Sequence, residues 1–287
     1  MSATESASDF PLARKAYRTI EPVHVVAYFA PETGEAFAEI GVHGAMAYFG
    51  ARSAPMGRVD AEVVIATFYN FAPSVVRNAI PRIWDIASPE ALIAARYVGA
   101  DRALRRILCE DVIASDEVAE AATLAREATT ALRVEGRALF AGYAVLAWPD
   151  EPHMQLFHAA TLLREHRGDG HIAALTLAGL DPVEALLTHL GMVDGAGLAL
   201  PVVRATRGWP DDEWAAGQHR LRERGLIDEQ DVCTPDGRAL RATIEAQTDA
   251  AAAAPYDHLG PDRTARLREL VKPLSQAVSA QLFGGNR

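Results

Sequence analysis

The chain has 287 residues, 49% of them hydrophobic and 23% charged, which is the balance of a folded globular protein and excludes disorder as its main state. This length exceeds one usual domain, so we expect two modules that share an interface. The formal net charge of −10 disfavours nucleic acid as a partner of the molecule as a whole, because like charges repel.

The N-terminal segment and the cysteines indicate the compartment. Residues 1–11 open with MSATESASDF, which is polar and acidic, so we expect a disordered N-terminus with no secretory signal. No window approaches the ~20 uncharged apolar residues of a membrane span. Cys109 and Cys233 lie far apart without a C-x-x-C spacing, so neither a disulfide scaffold nor a zinc ribbon is expected. These features predict a cytoplasmic protein that does not bind membranes.

Alanine-rich stretches with a 3.6-residue apolar spacing run through 12–148, and this pattern predicts an N-terminal helical domain. Prolines stand where one helix gives way to the next, as in IASPE (86–90). Ser88 followed by Pro89 predicts the N-cap and first residue of a long amphipathic helix. Ser115 followed by acidic residues predicts a second capped helix start.

Aromatic and polar side chains are concentrated in AYFGARSAPMG (47–57) and ATFYNFAP (66–73). Aromatic residues with a few convergent polar groups are typical of a ligand pocket, although a plain aromatic core is the commoner alternative. The predicted ligand-binding residues here are Tyr48, Arg52, Tyr69 and Asn70. Burying the Asn70 amide without a partner would cost about 1–3 kcal/mol, so we expect a group that bonds it.

The second half begins after WPDEPH (148–153), whose prolines and acids interrupt two long helical patterns. Three short helical patterns follow, then a helix ending at Gly225, a short extended segment and a further helix. We therefore predict a winged-helix-like domain over 149–260, followed by a C-terminal helix and tail over 261–287. The predicted fold is mainly α, with two helical modules, the C-terminal one carrying a short β wing.

This half resembles the MarR-like winged-helix proteins, on the evidence of LRERGLID (221–228) and TPDGRAL (234–240). The whole chain also resembles a largely actinobacterial helix-turn-helix family. The stretches that carry this second resemblance are YFGARSAPMG (48–57), ATFYNFAPSVVRNAIPRIW (66–84), LREHRGDGHIAAL (163–175) and IEAQTD (244–249). The resemblance implies a helix-turn-helix fold but no particular reaction.

In MarR-like regulators the helix before the wing enters the major groove of DNA, where acidic side chains are unfavourable. Here that helix opens with Asp211, Asp212 and Glu213. The following LIDEQDVCTPDG (226–237) holds acids and no base. DNA therefore remains a possible partner that these charges disfavour.

A dense polar stretch, REHRGDGH (164–171), is predicted to form a helix-turn-helix corner, with a tight reversal at Gly168 and Gly170. Such a turn would bring His166 and His171 together, as metal ligands or as a haem site. The enzyme alternative uses Glu165 and His171 as an acid–base pair. The further predicted ligand-binding residues are His158, Arg164, Arg167 and Asp169. The competing interpretation is a solvated salt-bridge corner with no site at all.

Taken together, the residues predict a small-molecule-binding winged-helix protein that acts as a ligand-responsive transcription regulator. The alternative is an enzyme with a His/Glu/Asp acid–base or metal site in the 164–171 corner. A third hypothesis is a homodimer assembled through alanine-rich helices near 241–254 or 263–282. The sequence does not identify a cofactor.

Overall fold

A computed structural model of the chain describes residues 11–192 and 200–284. Within these ranges the fold is helical, as predicted, and one 3-10 turn spans Ala54–Met56. The helices of the first half are α1 (Leu12–Phe29), α2 (Pro31–Glu39), α3 (Gly44–Ser53), α4 (Ala61–Phe68), α5 (Pro73–Ala79), α6 (Ile83–Ile86), α7 (Pro89–Leu108), α8 (Glu110–Ile113), α9 (Asp116–Thr129) and α10 (Ala138–Ala144). The N-terminus predicted to be disordered comprises residues 1–11, and residues 1–10 of it lie outside the described residues.

The second half contributes the longest helix of the fold and a group of shorter ones. These helices are α11 (Pro152–Leu177), α12 (Pro182–Leu190), α13 (Leu200–Arg207), α14 (Asp211–Glu223), α15 (Pro235–Ala251), α16 (Ala254–Leu259) and α17 (Pro261–Phe283). In the part of the chain that the structure describes, no single helix is both long and apolar enough to cross a membrane. Helices α11 and α12 pass that test only as a pair, with a bend of 101° between them.

The predicted β wing is wrong, since residues 11–192 and 200–284 contain no β-strand. The segment between α14 and α15 is closed by a single antiparallel bridge between Ile227 and Cys233. The Asp228 carboxylate accepts two backbone N–H groups of the same turn, each at 2.9 Å. The Cys233 N–H donates to the Gly191 carbonyl instead of extending a ladder. Side-chain and loop acceptors thus satisfy the backbone where a two-stranded wing would need partner strands.

Helix α11 is central to the fold, because it packs against α1, α7, α9, α10 and α15. It runs unbroken through Gly168 and Gly170, neither of which has a positive φ, so the predicted turn at this place is wrong. A Cβ atom at Gly170 would lie 2.7 Å from Arg137 Nη1 and 3.3 Å from the Ala251 side chain. Gly170 therefore permits a close approach of neighbouring elements and does not reverse the chain.

Three buried apolar clusters of the described residues organise the packing. One joins α1, α9 and α17 to the first half of α11. A second surrounds α3 to α7 and α10, and includes Leu162 of α11. The third packs the end of α11 against α12, α14 and α15. Because α11 contributes to all three, it aligns both halves of the chain, while the domain limits at 148 and 260 stay predictions.

Candidate functional site

Glu165 is a fully buried residue in the middle of α11. Predicted polar residues from both halves of the chain contact its carboxylate. Arg52 donates to both of its carboxylate oxygens, Nε at 3.2 Å and Nη2 at 3.0 Å. Arg164 Nη1 donates at 2.7 Å, and the Tyr28 hydroxyl donates at 3.3 Å. Tyr48 completes the group, with its hydroxyl 3.3 Å from Arg52 Nη1. The Glu165 carboxylate is therefore saturated by donors from within the protein.

These contacts decide what Glu165 can do chemically. Burial raises its pKa, but the positive charges of Arg164 and Arg52 outweigh that effect and hold the pKa well below its usual range. A general base that works near neutral pH needs a pKa near that pH and a free lone pair, and this carboxylate has neither. The contacts therefore support a structural counter-ion and give no support to the predicted catalytic role of Glu165.

His166 and His171, the predicted metal ligands, lie five residues apart on a continuous helix and so point in directions that differ by about 140°. The His166 ring packs edge-on against Phe140, with 5.1 Å between centroids. His171 Nδ1 lies 2.9 Å from Thr248 Oγ1. Burial lowers the pKa of each imidazole to about 4, so both are neutral at pH 7. The pair has no shared coordination position, and the metal or haem assignment stays a prediction.

Elsewhere in the described residues, one group of three has the spacing of metal ligands. Asp101, Glu151 and His153 place their ligand atoms within 4.8 Å of one another. The Arg105 guanidinium binds both carboxylates of this group: its Nε lies 3.0 Å from Asp101 Oδ1, and it forms a further ion pair with Glu151. Its guanidinium already supplies the positive charge that the two carboxylates need.

The remaining predicted ligand-binding residues of α11 have partners within the fold. Arg167 Nη1 donates to Asp249 Oδ1 at 2.8 Å. Asp169 accepts the backbone N–H of Phe140 at 3.0 Å, and burial raises its pKa to about 6. His158 hydrogen-bonds the Tyr97 hydroxyl. These contacts are typical of structural side chains that join α11 to its neighbours.

A cavity of about 190 Å³ lies where the segment after α4 meets the ends of α11 and α13 and the helices α12 and α15. It brings together two of the predicted residues, Asn70 and His171. Its polar lining residues are Asn70, His171, His189, Arg207 and Arg241, and its apolar ones are Leu175, Ala185, Leu186 and Val203. We call this space the junction cavity.

Two polar atoms on the junction cavity's lining residues are buried and make no hydrogen bond: Asn70 Oδ1 and Arg207 Nε. The backbone around Asn70 is firmly held, because Trp209 Nε1 donates to its carbonyl at 3.0 Å and the Tyr69 hydroxyl donates to Leu180 O. The expected partner of the Asn70 amide oxygen is thus not supplied by the described residues. Asn70 Oδ1 and Arg207 Nε are two of the seven buried side-chain atoms of the described residues that lack a hydrogen-bond partner, and they are the two whose residues line this cavity, where a bound molecule can supply the partner.

Positive charge dominates the junction cavity. Burial lowers the pKa of both Arg207 and Arg241, yet guanidinium groups remain charged at neutral pH. Arg241 Nη2 donates to Glu245 Oε1 at 3.0 Å, whereas Arg207 contacts the Thr206 hydroxyl and the Phe71 ring. The cavity therefore favours an anion. The sequence offered no local signal for Arg207, Arg241 or His189, because residues of α12, α13 and α15 come together only around the cavity in the folded chain.

The surface of α14 bears on DNA contact. Its first turn carries Asp211, Asp212 and Glu213, all of them exposed. Two arginines near the C-terminal end of α14 and Arg224, which follows its last residue, each bind a carboxylate of the same module. These pairs are Arg220 with Glu184 at 3.2 Å, Arg222 with Asp231 at 2.6 Å and Arg224 with Glu184 at 3.2 Å. In this arrangement the arginines are engaged within the protein, and phosphate would have to compete for them.

Comparison with known proteins addresses the family. A sequence model of a helix-turn-helix family matches residues 13–284, nearly the full length. Neither curated proteins nor solved structures gave a match. The family match supports the helix-turn-helix part of the predicted resemblance and suggests a DNA-binding regulator in general terms, while the MarR-like and actinobacterial parts are not confirmed. The chain belongs to this helix-turn-helix family.

Proposed function

We propose that this helix-turn-helix family member is a small-molecule-responsive transcription regulator whose ligand binds in the junction cavity. The observation that carries the proposal is the pair of buried, unbonded atoms, Asn70 Oδ1 and Arg207 Nε, on residues that line a cavity of about 190 Å³. A ligand that bonds both would remove the cost of two unsatisfied polar groups, about 1–3 kcal/mol each.

The position of the cavity supports a coupling between ligand and DNA. The Ala72 N–H donates to the Arg207 carbonyl at 2.9 Å, which joins the segment after α4 to the end of α13. Helix α14 follows within four residues and packs against α12. A ligand held by Asn70 and Arg207 would change the position of α13, and with it the position of α14, relative to the first half of the chain. Such a differential contact is what an allosteric effect requires.

The proposal also accounts for the engaged arginines of α14. A small rearrangement of α12 against α14 would release Arg220 and Arg224 from Glu184, which both contact. Free guanidinium groups bind DNA phosphates, and the resulting affinity falls steeply with salt. The predicted homodimer and the MarR-like arrangement of the helices stay predictions.

The experiment selects duplexes from a random DNA pool with the full chain, then measures the affinity of the selected duplex in the presence of a library of small metabolites. We expect a sequence-specific duplex whose affinity changes about tenfold with one class of compound. Ala185→Leu adds carbon atoms to the cavity wall and should abolish the response. Ala239→Leu, an exposed change on α15, should leave it intact.

Two results would overturn the proposal. One is the failure of the wild-type chain to retain any duplex above its affinity for random DNA. The other is a compound response that Ala185→Leu leaves unchanged, since the ligand would then bind elsewhere.

A further inference from the structure

We infer that the ligand of the junction cavity is a small aliphatic hydroxycarboxylate. This inference rests on the proposed function in one respect, namely that the cavity is a ligand site. It adds the chemical class of the ligand. The carboxylate, the hydroxyl and the aliphatic part are each inferred from a different feature of the cavity lining.

We infer the carboxylate of the ligand from the excess of positive charge in the cavity lining. Arg207 pairs with no carboxylate among the described residues, and its Nε is left without an acceptor. The nearest acid to Arg241 is Glu245, which Arg167 also engages, at 3.4 Å. A carboxylate on the ligand would supply both the missing charge and the missing acceptor, because guanidinium groups bind carboxylates through parallel N–H···O bonds.

We infer the hydroxyl of the ligand from two groups of the lining that can only accept a hydrogen bond. The Asn70 amide oxygen is one of them. The Thr248 hydroxyl proton is donated to the Ile244 carbonyl at 2.7 Å, so at the 2.9 Å contact His171 Nδ1 must be the donor. In a neutral imidazole the other ring nitrogen, Nε2, is then an acceptor. A ligand hydroxyl can donate its single proton to one of these acceptors, which we assign to the Asn70 amide oxygen, without adding charge. An ammonium group would instead place a third cation beside Arg207 and Arg241.

We infer the aliphatic part of the ligand from the apolar lining residues and from the volume of the cavity. Leu175, Ala185, Leu186 and Val203 are the apolar lining residues, and none is aromatic. A cavity of about 190 Å³ is slightly larger than the ~150 Å³ cavity that binds benzene in another protein. A branched acid of about six to ten non-hydrogen atoms fits this space.

The experiment is calorimetric titration of the full chain with a matched probe series. The probes are the 2-, 3- and 4-hydroxy derivatives of 4-methylpentanoate, each as both enantiomers where chiral, together with 4-methylpentanoate itself, leucine and 4-methylpentanamide. We expect at least one hydroxy acid to bind about tenfold more tightly than the parent acid and than leucine. The uncharged amide should bind more weakly than any of the acids.

Two variants separate the two parts of the ligand. Asn70→Leu should weaken the best hydroxy acid to the level of 4-methylpentanoate and leave 4-methylpentanoate unchanged, which shows that the variant is folded. Arg207→Gln should weaken all acids by about tenfold or more while the amide is unaffected. Thermal unfolding of each variant provides an independent check of folding.

Several outcomes overturn the inference: no probe binds to the wild-type chain, the parent acid or leucine binds as tightly as every hydroxy acid, or Asn70→Leu leaves the preference unchanged. If another class of compound alters DNA affinity and Ala185→Leu blocks it, the ligand class is wrong and the proposed function stands. If a hydroxy acid binds as expected but DNA affinity does not respond, the regulator role fails and the ligand class stands.

Discussion

Glu165 shows how single buried residues of this protein act through their partners. It is fully buried and shares its charge with Arg52 and Arg164, and Arg52 comes from 113 residues away in the chain. A buried ion pair is not a strong source of stability compared with an apolar core, but removing one partner leaves the other charge buried and uncompensated. The dependence of Arg52 on Glu165 can therefore be tested directly.

We predict that Glu165→Gln lowers the free energy of unfolding by about 3–5 kcal/mol, because the Arg52 and Arg164 charges would lose their counter-ion. Urea-induced unfolding followed by circular dichroism measures this difference. The matched control is Glu62→Gln, which breaks the ion pair between Glu62 and Arg77. These two side chains are 68% and 57% exposed, respectively. An exposed pair contributes only about 0–1 kcal/mol. Equal losses in the two variants would show that Glu165 is not the structural counter-ion described here.

The same scale shows what the residue pattern could and could not predict. Asn70 stood out in the sequence because its amide is difficult to bury among aromatic residues, and it does line the cavity with an unbonded oxygen. The joining of Arg52 to Glu165, or of Arg207 to the space beside Asn70, depends on contacts between distant helices. No local spacing encodes such contacts, so the sequence alone could not group these residues, and the predicted site assignments stay predictions.

At the scale of secondary structure elements, local signals were reliable where one side chain decides the outcome. Ser88 and Ser115 cap α7 and α9 as predicted, each accepting a backbone N–H three residues ahead. The prediction failed at Gly168 and Gly170, because glycine serves equally for a turn and for a close approach of neighbouring groups. The neighbours of Gly170 are Arg137 and Ala251, which only the tertiary structure brings to this position.

The two glycines of α11 give a prediction for this helix. Gly168→Ala should stabilise the protein by about 0.5–1 kcal/mol, because alanine favours a helix and the nearest atom to the new Cβ lies 3.8 Å away. Gly170→Ala should destabilise it by about 1–2 kcal/mol, since the new Cβ would displace Arg137 from the carbonyls of His166 and Ala251. Unfolding midpoints of the two variants in urea measure the contrast. Destabilisation by both substitutions would instead favour a turn at this place.

The whole molecule combines long-range helix contacts with several buried imidazoles. Helix α1 packs along α17, so the first and last helices of the fold support each other. Burial lowers the pKa of His158, His166 and His171 to about 4. These side chains lie at different places along α11, so protonation would disturb the central helix over much of its length.

The pH dependence of stability follows from the direction of these shifts. In the unfolded chain an imidazole has a pKa of about 6.5, so between pH 6.5 and 4 the unfolded state binds more protons than the folded state. Stability from these groups is therefore present above pH 6.5 and is lost as the pH falls towards 4. Asp169 acts in the opposite direction, because burial raises its pKa from 3.8 to about 6 and the folded state binds the extra proton. Burial also lowers the pKa of His24 on α1, so at least four imidazoles act against one carboxyl and leave a net loss of stability.

We accordingly predict that lowering the pH from 7.5 to 5 reduces the free energy of unfolding by about 4 kcal/mol or more, with a net uptake of about two to three protons on unfolding at pH 5. Urea unfolding at intermediate pH values gives both quantities, the second from the slope. His171→Asn should reduce the proton uptake by about one. A stability that is flat or rises towards pH 5 would mean that the imidazoles of α11 are hydrated in solution, and that the helix is less enclosed than the packing around it indicates.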